Sequence, residues 1–267
     1  MQNPKSFVDR IHYDGHREYT VKRGGVAYLD GSRLARPARM PRTQRIIALV
    51  ILAIAIVVGG FIVNDFVISK WRASVNAEQA IAANLAREAS IDSVPVMSGL
   101  IALDNDSVKA KLESAGNDLY DASATEDSSD MVLYRVPSDM TASEAASMYV
   151  KGVGTLNAQQ ASKLLNGSWY FAVDRVGNAS MVVRYADFKN SDPQQAIQDA
   201  IKKQGFDIAT VTDSGVDDSG NTFMAGTVDA GGTPCTWKAS SVPLKEVYSI
   251  LGLPEGACYV GVRVSVQ

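Results

Sequence analysis

The sequence predicts an α+β protein on a membrane anchor. The expected order is an N-terminal single transmembrane helix with a helical stalk, then an extracytoplasmic domain with an antiparallel sheet and several short helices. Three observations carry this expectation. Residues 46–63 form an eighteen-residue apolar run with no charged or polar side chain. Charge divides around that run: residues 1–45 hold ten Lys/Arg and four Asp/Glu, a net of +6, and residues 46–267 carry −9, within a total of −3 over 267 residues. Beyond residue 90, short β-branched and aromatic runs alternate with capped helical patterns, which is the signature of an interleaved α+β fold. Apolar residues at 46% and charged residues at 21% suit a folded chain. The uneven charge excludes a simple cytosolic enzyme and a basic nucleic-acid-binding domain, and the composition excludes a collagen-like chain.

The tail, residues 1–45, has no run able to bury a core. Gly24-Gly25, Gly31, Pro37 and Pro41 interrupt any long helix, so a basic tail that is disordered or locally ordered is expected. Arg33, Arg36, Arg39, Arg42 and Arg45 recur every third residue just before the apolar run. They place the N-terminus in the cytoplasm by the positive-inside rule. They also form a membrane-facing basic cluster suited to anionic lipid, at about 1 kcal/mol per charge near the surface. No nucleic-acid motif accompanies them, and no nucleic-acid partner is expected.

Residues 46–69 predict the transmembrane helix. At 1.5 Å per residue they span roughly 36 Å, enough for a hydrocarbon core of about 30 Å with some tilt. A cleaved signal peptide has a short basic start and a small-x-small site, and neither is present here. Residues 70–90, Ala-rich and free of Gly and Pro, predict a helical stalk, with Ala77, Ile81, Leu85 and Ala89 as a weak apolar stripe.

Residues 91–267 predict the extracytoplasmic α+β region, as one domain or as two subdomains dividing near 137 or 190. Asp104 to Ser107 open a helix that stops at Gly116, and residues 131–136 read as a strand. Thr141 with Glu144 forms a capping box for a helix reaching Lys151. Residues 157–165 are a further helix candidate. Residues 169–176 and 179–188 flank Gly177-Asn178 and predict a hairpin with a tight turn. Asp192-Pro193 opens a helix that Gly205 ends. Strands then follow near 206–213, 221–230 and 235–238, a helix over 243–251, and a closing strand over 257–266.

Val94-Pro95, Gly99 and the helix ending in Ala115-Gly116 resemble the opening of a PASTA domain over about 25 residues. The spacing from Gly99 to the helix is longer than in that family, and the later strands depart from it. The resemblance assigns no role to any residue.

The chemistry open to the outer region is narrow. Both histidines, His12 and His16, precede the apolar run. Their i, i+4 spacing offers two metal ligands, too few for a site. Without outer histidines, Ser-His-Asp and Cys-His mechanisms are excluded there. P-loop, GxSxG, GxGxxG and HExxH motifs are missing from the sequence. Paired carboxylates and a Ser-Lys dyad survive on residue type. Asp104 and Asp106 read as helix caps, and Asp213, Asp217 and Asp218 as turn residues. No catalytic, cofactor or metal residue is assigned. Cys235 and Cys258, the two cysteines, lie in the outer region, where an oxidising compartment favours a disulfide; two buried free thiols are the alternative. Trp169, Tyr170, Phe171 and Tyr185 offer an aromatic strand surface for glycan or peptide, with core packing as the alternative.

The resulting expectation is a cell-membrane protein, N-terminus cytoplasmic and C-terminal domain extracytoplasmic, that serves as a binding or structural component of a cell-envelope assembly. Its partner outside would be a protein or an envelope polymer. The alternatives are an anchored carboxylate enzyme acting on envelope polysaccharide, and a ligand sensor coupled to the Arg-rich tail.

Overall fold

The computed structural model describes residues 13–14, 17–22, 25–30, 50–52, 68–124 and 129–267. It divides into two compact units, Met1–Trp71 and Arg72–Gln267. In the first, strands β1 (Tyr13–Asp14), β2 (Arg17–Lys22) and β3 (Gly25–Asp30) form a three-stranded antiparallel sheet. The sequence carries a hairpin pattern here: Tyr and Val alternate on both sides of Arg23-Gly24, and Lys22 pairs with Gly25 across them. The arginine cluster from Arg33 to Arg45 and most of the apolar run lie outside the described residues. No helix among the described residues is long and apolar enough to cross a membrane.

Helix α1 (68–85) covers most of the expected stalk but stops short of residue 90. Side chains take over where it ends. Asn84 Nδ2 donates to Ser162 Oγ at 2.9 Å and to the Gln159 carbonyl at 3.1 Å. Arg87 donates to the carbonyls of Lys163 (2.9 Å) and Asn166 (3.3 Å) and pairs with Asp139. The chain then enters α2 (Ser90–Ser93) and α3 (Asn105–Ser114), whose N-cap Asp104 accepts from the Ser107 amide at 2.7 Å.

Among the described residues, eight strands form one antiparallel sheet in the order β4-β5-β6-β7-β11-β10-β9-β8. They are β4 (Leu119–Asp121), β5 (Met131–Arg135), β6 (Tyr170–Asp174), β7 (Ser180–Asp187), β8 (Val211–Val216), β9 (Thr222–Asp229), β10 (Pro234–Pro243) and β11 (Cys258–Val266). Each half is a meander, and the last strands of the two halves, β7 and β11, pair at the centre from Ser180↔Ser265 to Cys258↔Asp187. Because that central ladder crosses between the halves, the sheet has no subdomain division at 137 or 190.

The helices follow their caps. Thr141 accepts from the Glu144 amide to start α4 (Ala142–Lys151), and Gly152, at φ +86°, ends it. Asn157 and Gln160 form a second capping box for α5 (Ala158–Leu165). Asp192 and Pro193 start α6 (Pro193–Gln204), and Gly205 closes it in the left-handed region. The expected helix over 243–251 shrinks to α7 (Leu244–Val247). The β6–β7 connection is longer than a tight turn, since Asp174↔Ser180 is its last pair. Arg175 is drawn out of the ladder there to donate to the carbonyls of Ile101 and Leu103.

Strand alternation gives the sheet two unlike faces. One face carries Leu133, Phe171, Val183, Val260, Val262 and Trp237, all buried against the helices α3 and α6. Gln204 stitches the incoming segment to this layer: its Oε1 accepts from the Met97 amide at 2.9 Å, and its Nε2 donates to the Pro95 carbonyl at 2.8 Å. The opposite face is covered only in part, by α4, α5 and α7 through Ala145, Leu164, Leu165 and Leu244. What those helices leave open is a cleft.

Candidate functional site

The cleft has a volume of about 740 Å³ and lies on the second face of the sheet. This falls within the roughly 300–1,000 Å³ of ordinary ligand sites. Its floor comes from alternate positions of neighbouring strands: Tyr134 on β5; Tyr170, Ala172 and Asp174 on β6; Ser180, Val182 and Arg184 on β7; Tyr259 and Arg263 on β11. Tyr120 closes one end, and Tyr149, Val150 and Tyr248 overhang from the helical side.

Six tyrosines drawn from 140 residues of chain meet here. Tyr134 and Tyr149 have ring centroids 4.1 Å apart. Tyr120 stacks on Tyr149 at 6.5 Å with an interplanar angle of 7°. Tyr170 meets Tyr134 edge-on at 5.3 Å, and Tyr248 meets Tyr259 edge-on at 5.8 Å. Burial pushes the Tyr149, Tyr248 and Tyr259 phenols above their ordinary value, Tyr149 and Tyr259 by a wide margin. These groups stay neutral at physiological pH.

Two exposed arginines stand against this wall. Arg184 places its guanidinium carbon 5.3 Å from the Tyr170 ring centroid, a cation–π contact. Arg184 lies directly opposite Gly261, and Arg263, two residues further along β11, lies opposite Val182. Neither has a carboxylate within ion-pair distance among the described residues, whereas Arg87 and Arg135 both pair with one and Arg175 is held by main-chain carbonyls. Gly261 leaves the floor between the two arginines low, and a Cβ there would meet only ordinary contacts, Ser240 Oγ at 3.5 Å and Arg184 Cγ at 3.8 Å.

Of the aromatic residues singled out by sequence, only Tyr170 faces this cleft. Trp169, Phe171 and Tyr185 are 1%, 0% and 2% exposed, on or beneath the helix-covered face. An exposed aromatic surface made of all four is thus corrected. The period-2 alternation puts Trp169 and Phe171 inside, and Phe171 pairs with Val183, two residues before Tyr185 on the same face.

The disulfide between Cys235 and Cys258 is also corrected. Both cysteines are free and buried. They sit on adjacent strands but at opposite ends, because Cys235 pairs with Val266 and Cys258 with Pro243. That offset corresponds to roughly 27 Å along the strands at about 3.4 Å per residue, and a disulfide requires Cα atoms within about 7 Å. Burial pushes both thiols up.

Asp104 and Asp217 take the cap and turn places expected for them, whereas Asp106 lies inside the first turn of α3 and Asp213 lies within β8, paired with Ala225. Asp217 accepts from the amides of Ser219 (3.1 Å) and Asn221 (3.0 Å), which closes the β8–β9 turn. Among the described residues no group of three His, Cys, Asp or Glu is arranged to hold a metal. The described carboxylate lining the cleft is Asp174, whose Oδ1 accepts from the Val176 amide at 2.9 Å.

Compared with known proteins, the chain matches no family, no curated relative and no solved structure.

Proposed function

We propose that this chain is a single-pass membrane protein that displays a binding module outside the membrane, as a component of a cell-envelope assembly. The apolar run at 46–63, resumed after Asn64 and Asp65 at 66–68, and the charge asymmetry around it support the anchor and its orientation. The observation that carries the binding role is the tyrosine-walled cleft with two unpaired arginines on its floor. Tyrosines give a large, stiff contact area with polar tips at low entropic cost, which suits recognition more than turnover. The Arg-rich tail would add a contact with anionic lipid on the inner side.

A carboxylate enzyme needs two acids facing each other across the cleft, about 5–10 Å apart. The described lining supplies Asp174, already tied to its own turn. A sensor reading has one observation in its favour: Asn84 and Arg87, at the end of α1, are bonded to α5, so a shift of that helix is felt by the stalk.

The test uses the full chain in membrane vesicles with a photocrosslinking amino acid at Val182, on the cleft floor, or at Val176, on the exposed β6–β7 loop. A partner adduct formed at 182 and not at 176, and lost when Gly261→Trp fills the floor, is the expected result. Equal adducts at both positions would remove the cleft from the function. Protease added to right-side-out vesicles should remove residues 72–267; an intact chain would reverse the topology.

A further inference from the structure

We infer that the cleft takes an extended acidic peptide segment of a protein partner, with carboxylates at alternate positions seated on Arg184 and Arg263. This rests on the binding-module reading and names its ligand.

The first support is the arrangement of charge. Arg184 and Arg263 are diagonal neighbours on the paired strands β7 and β11, and Lys238 on β10 lies directly opposite Arg263. Three cations therefore step across three adjacent strands on one face. Like charges directly opposite each other destabilise a sheet. Lys238 is offset by Asp217 at 3.4 Å and by the Phe223 ring at 4.4 Å. Arg263 has no such partner among the described residues. An incoming anion supplies the missing compensation.

The second support is spacing. Diagonal cross-strand neighbours have Cα atoms about 7–8 Å apart. In an extended peptide, residues i and i+2 point the same way and lie about 6.8 Å apart. A Glu-x-Glu segment therefore presents its carboxylates at the interval of the two arginines, where planar guanidinium groups bind carboxylate bidentately.

The third support is what the tyrosines offer. Sugar recognition on aromatic residues uses an open ring face. Here the faces are taken up: Tyr120 and Tyr134 lie against Tyr149, and Tyr170 carries Arg184. A sugar stacking on these rings would have to displace those contacts.

The experiment is fluorescence anisotropy with the full chain in non-ionic detergent. The probes are fluorescein-labelled Glu-Gly-Glu-Gly-Glu, its Gln-Gly-Gln-Gly-Gln counterpart, and an oligogalacturonate carrying the same number of carboxylates. The expected result is saturable binding of the Glu peptide, at least tenfold tighter than the Gln peptide and the oligogalacturonate. Arg184→Gln with Arg263→Gln should weaken it at least tenfold while moving the melting temperature by no more than about 4 °C, since both side chains are exposed. Binding should also weaken as salt is raised from 50 to 500 mM. Undiminished binding by the double variant, or preference for the oligogalacturonate, overturns the inference. A cleft-specific adduct at Val182 with no Glu-peptide binding would overturn the acidic-peptide assignment alone and leave the binding-module reading intact.

Discussion

Gly226 and Gly261 sit on strands of the same sheet and should respond oppositely to the same change. Neither has a positive φ, so backbone strain does not separate them. Gly226 faces the helix-covered side. A Cβ there would lie 2.5 Å from the Thr210 carbonyl oxygen and 2.7 Å from Trp237 Cζ2. Trp237 is 1% exposed and stacked on Phe206 at 5.1 Å, so the indole has nowhere to go. Overpacking costs about 1–3 kcal/mol, and a clash with both backbone and a locked indole belongs at the upper end. Losing the freedom of glycine in the unfolded chain returns about 0.4–1 kcal/mol. Gly226→Ala should therefore destabilise by about 2–2.5 kcal/mol. At about 2–4 °C per kcal/mol for a unit of this size, Tm should fall by roughly 4–10 °C. Gly261→Ala meets only contacts of 3.5 Å and longer, so its Tm should stay level or rise by roughly 1–4 °C. The assay is thermal unfolding of the full chain in detergent, followed by near-ultraviolet circular dichroism of the buried tryptophans. Equal shifts for the two variants would refute the assignment of Gly226 to a closed face and Gly261 to an open one.

Arg87→Ala removes the donor to the carbonyls of Lys163 in α5 and of Asn166 at its C-cap, and the pair with Asp139, so the 72–85 amides should exchange hydrogen faster by about tenfold or more, at about 1.5–3 kcal/mol per charged hydrogen bond; unchanged exchange there would mean the stalk is held by something else. Both cysteines should be free, so alkylation after denaturation without reductant should label two thiols per chain, and a mass 2 Da lower would disprove the β10–β11 register. Burial raises the folded-state values of Tyr149, Tyr248 and Tyr259, so stability from these groups is present below the unfolded tyrosine value of about 10 and is lost as pH rises through the folded values. Absorbance at 295 nm should thus show a late, unfolding-linked step, and all tyrosines titrating reversibly near pH 10 in the folded chain would count against the buried cluster.

What the sequence disclosed depended on whether the determining contacts were local. Caps at Asp104, Thr141 and Asp192 bind amides two or three residues away, and each could be read directly. The β6–β7 pair was legible from its aromatic and β-branched alternation. Its turn was not, because Arg175 is held by carbonyls more than seventy residues back. The cysteines failed for a related reason: strand existence is a local property, but which end of β10 faces which end of β11 is set by the whole ladder. The cleft was the least visible feature. Its tyrosines run from Tyr120 to Tyr259, and no window of the chain holds them together. One signal was available in β7, where Arg184 interrupts the apolar run from Met181 to Ala186 between Val183 and Tyr185. Alternation sends those two neighbours into the helix-covered core and leaves Arg184 on the other face. On β11, Arg263 sits between Val262 and Val264 in the same phase. Two adjacent central strands, each carrying an arginine outward while its neighbours go inward, mark a face that water or an anionic partner must cover, because a helix packed there would leave two buried cations unpaired. The helices α4, α5 and α7 accordingly pack with Ala186 and Tyr259 on that face and leave Arg184 and Arg263 exposed.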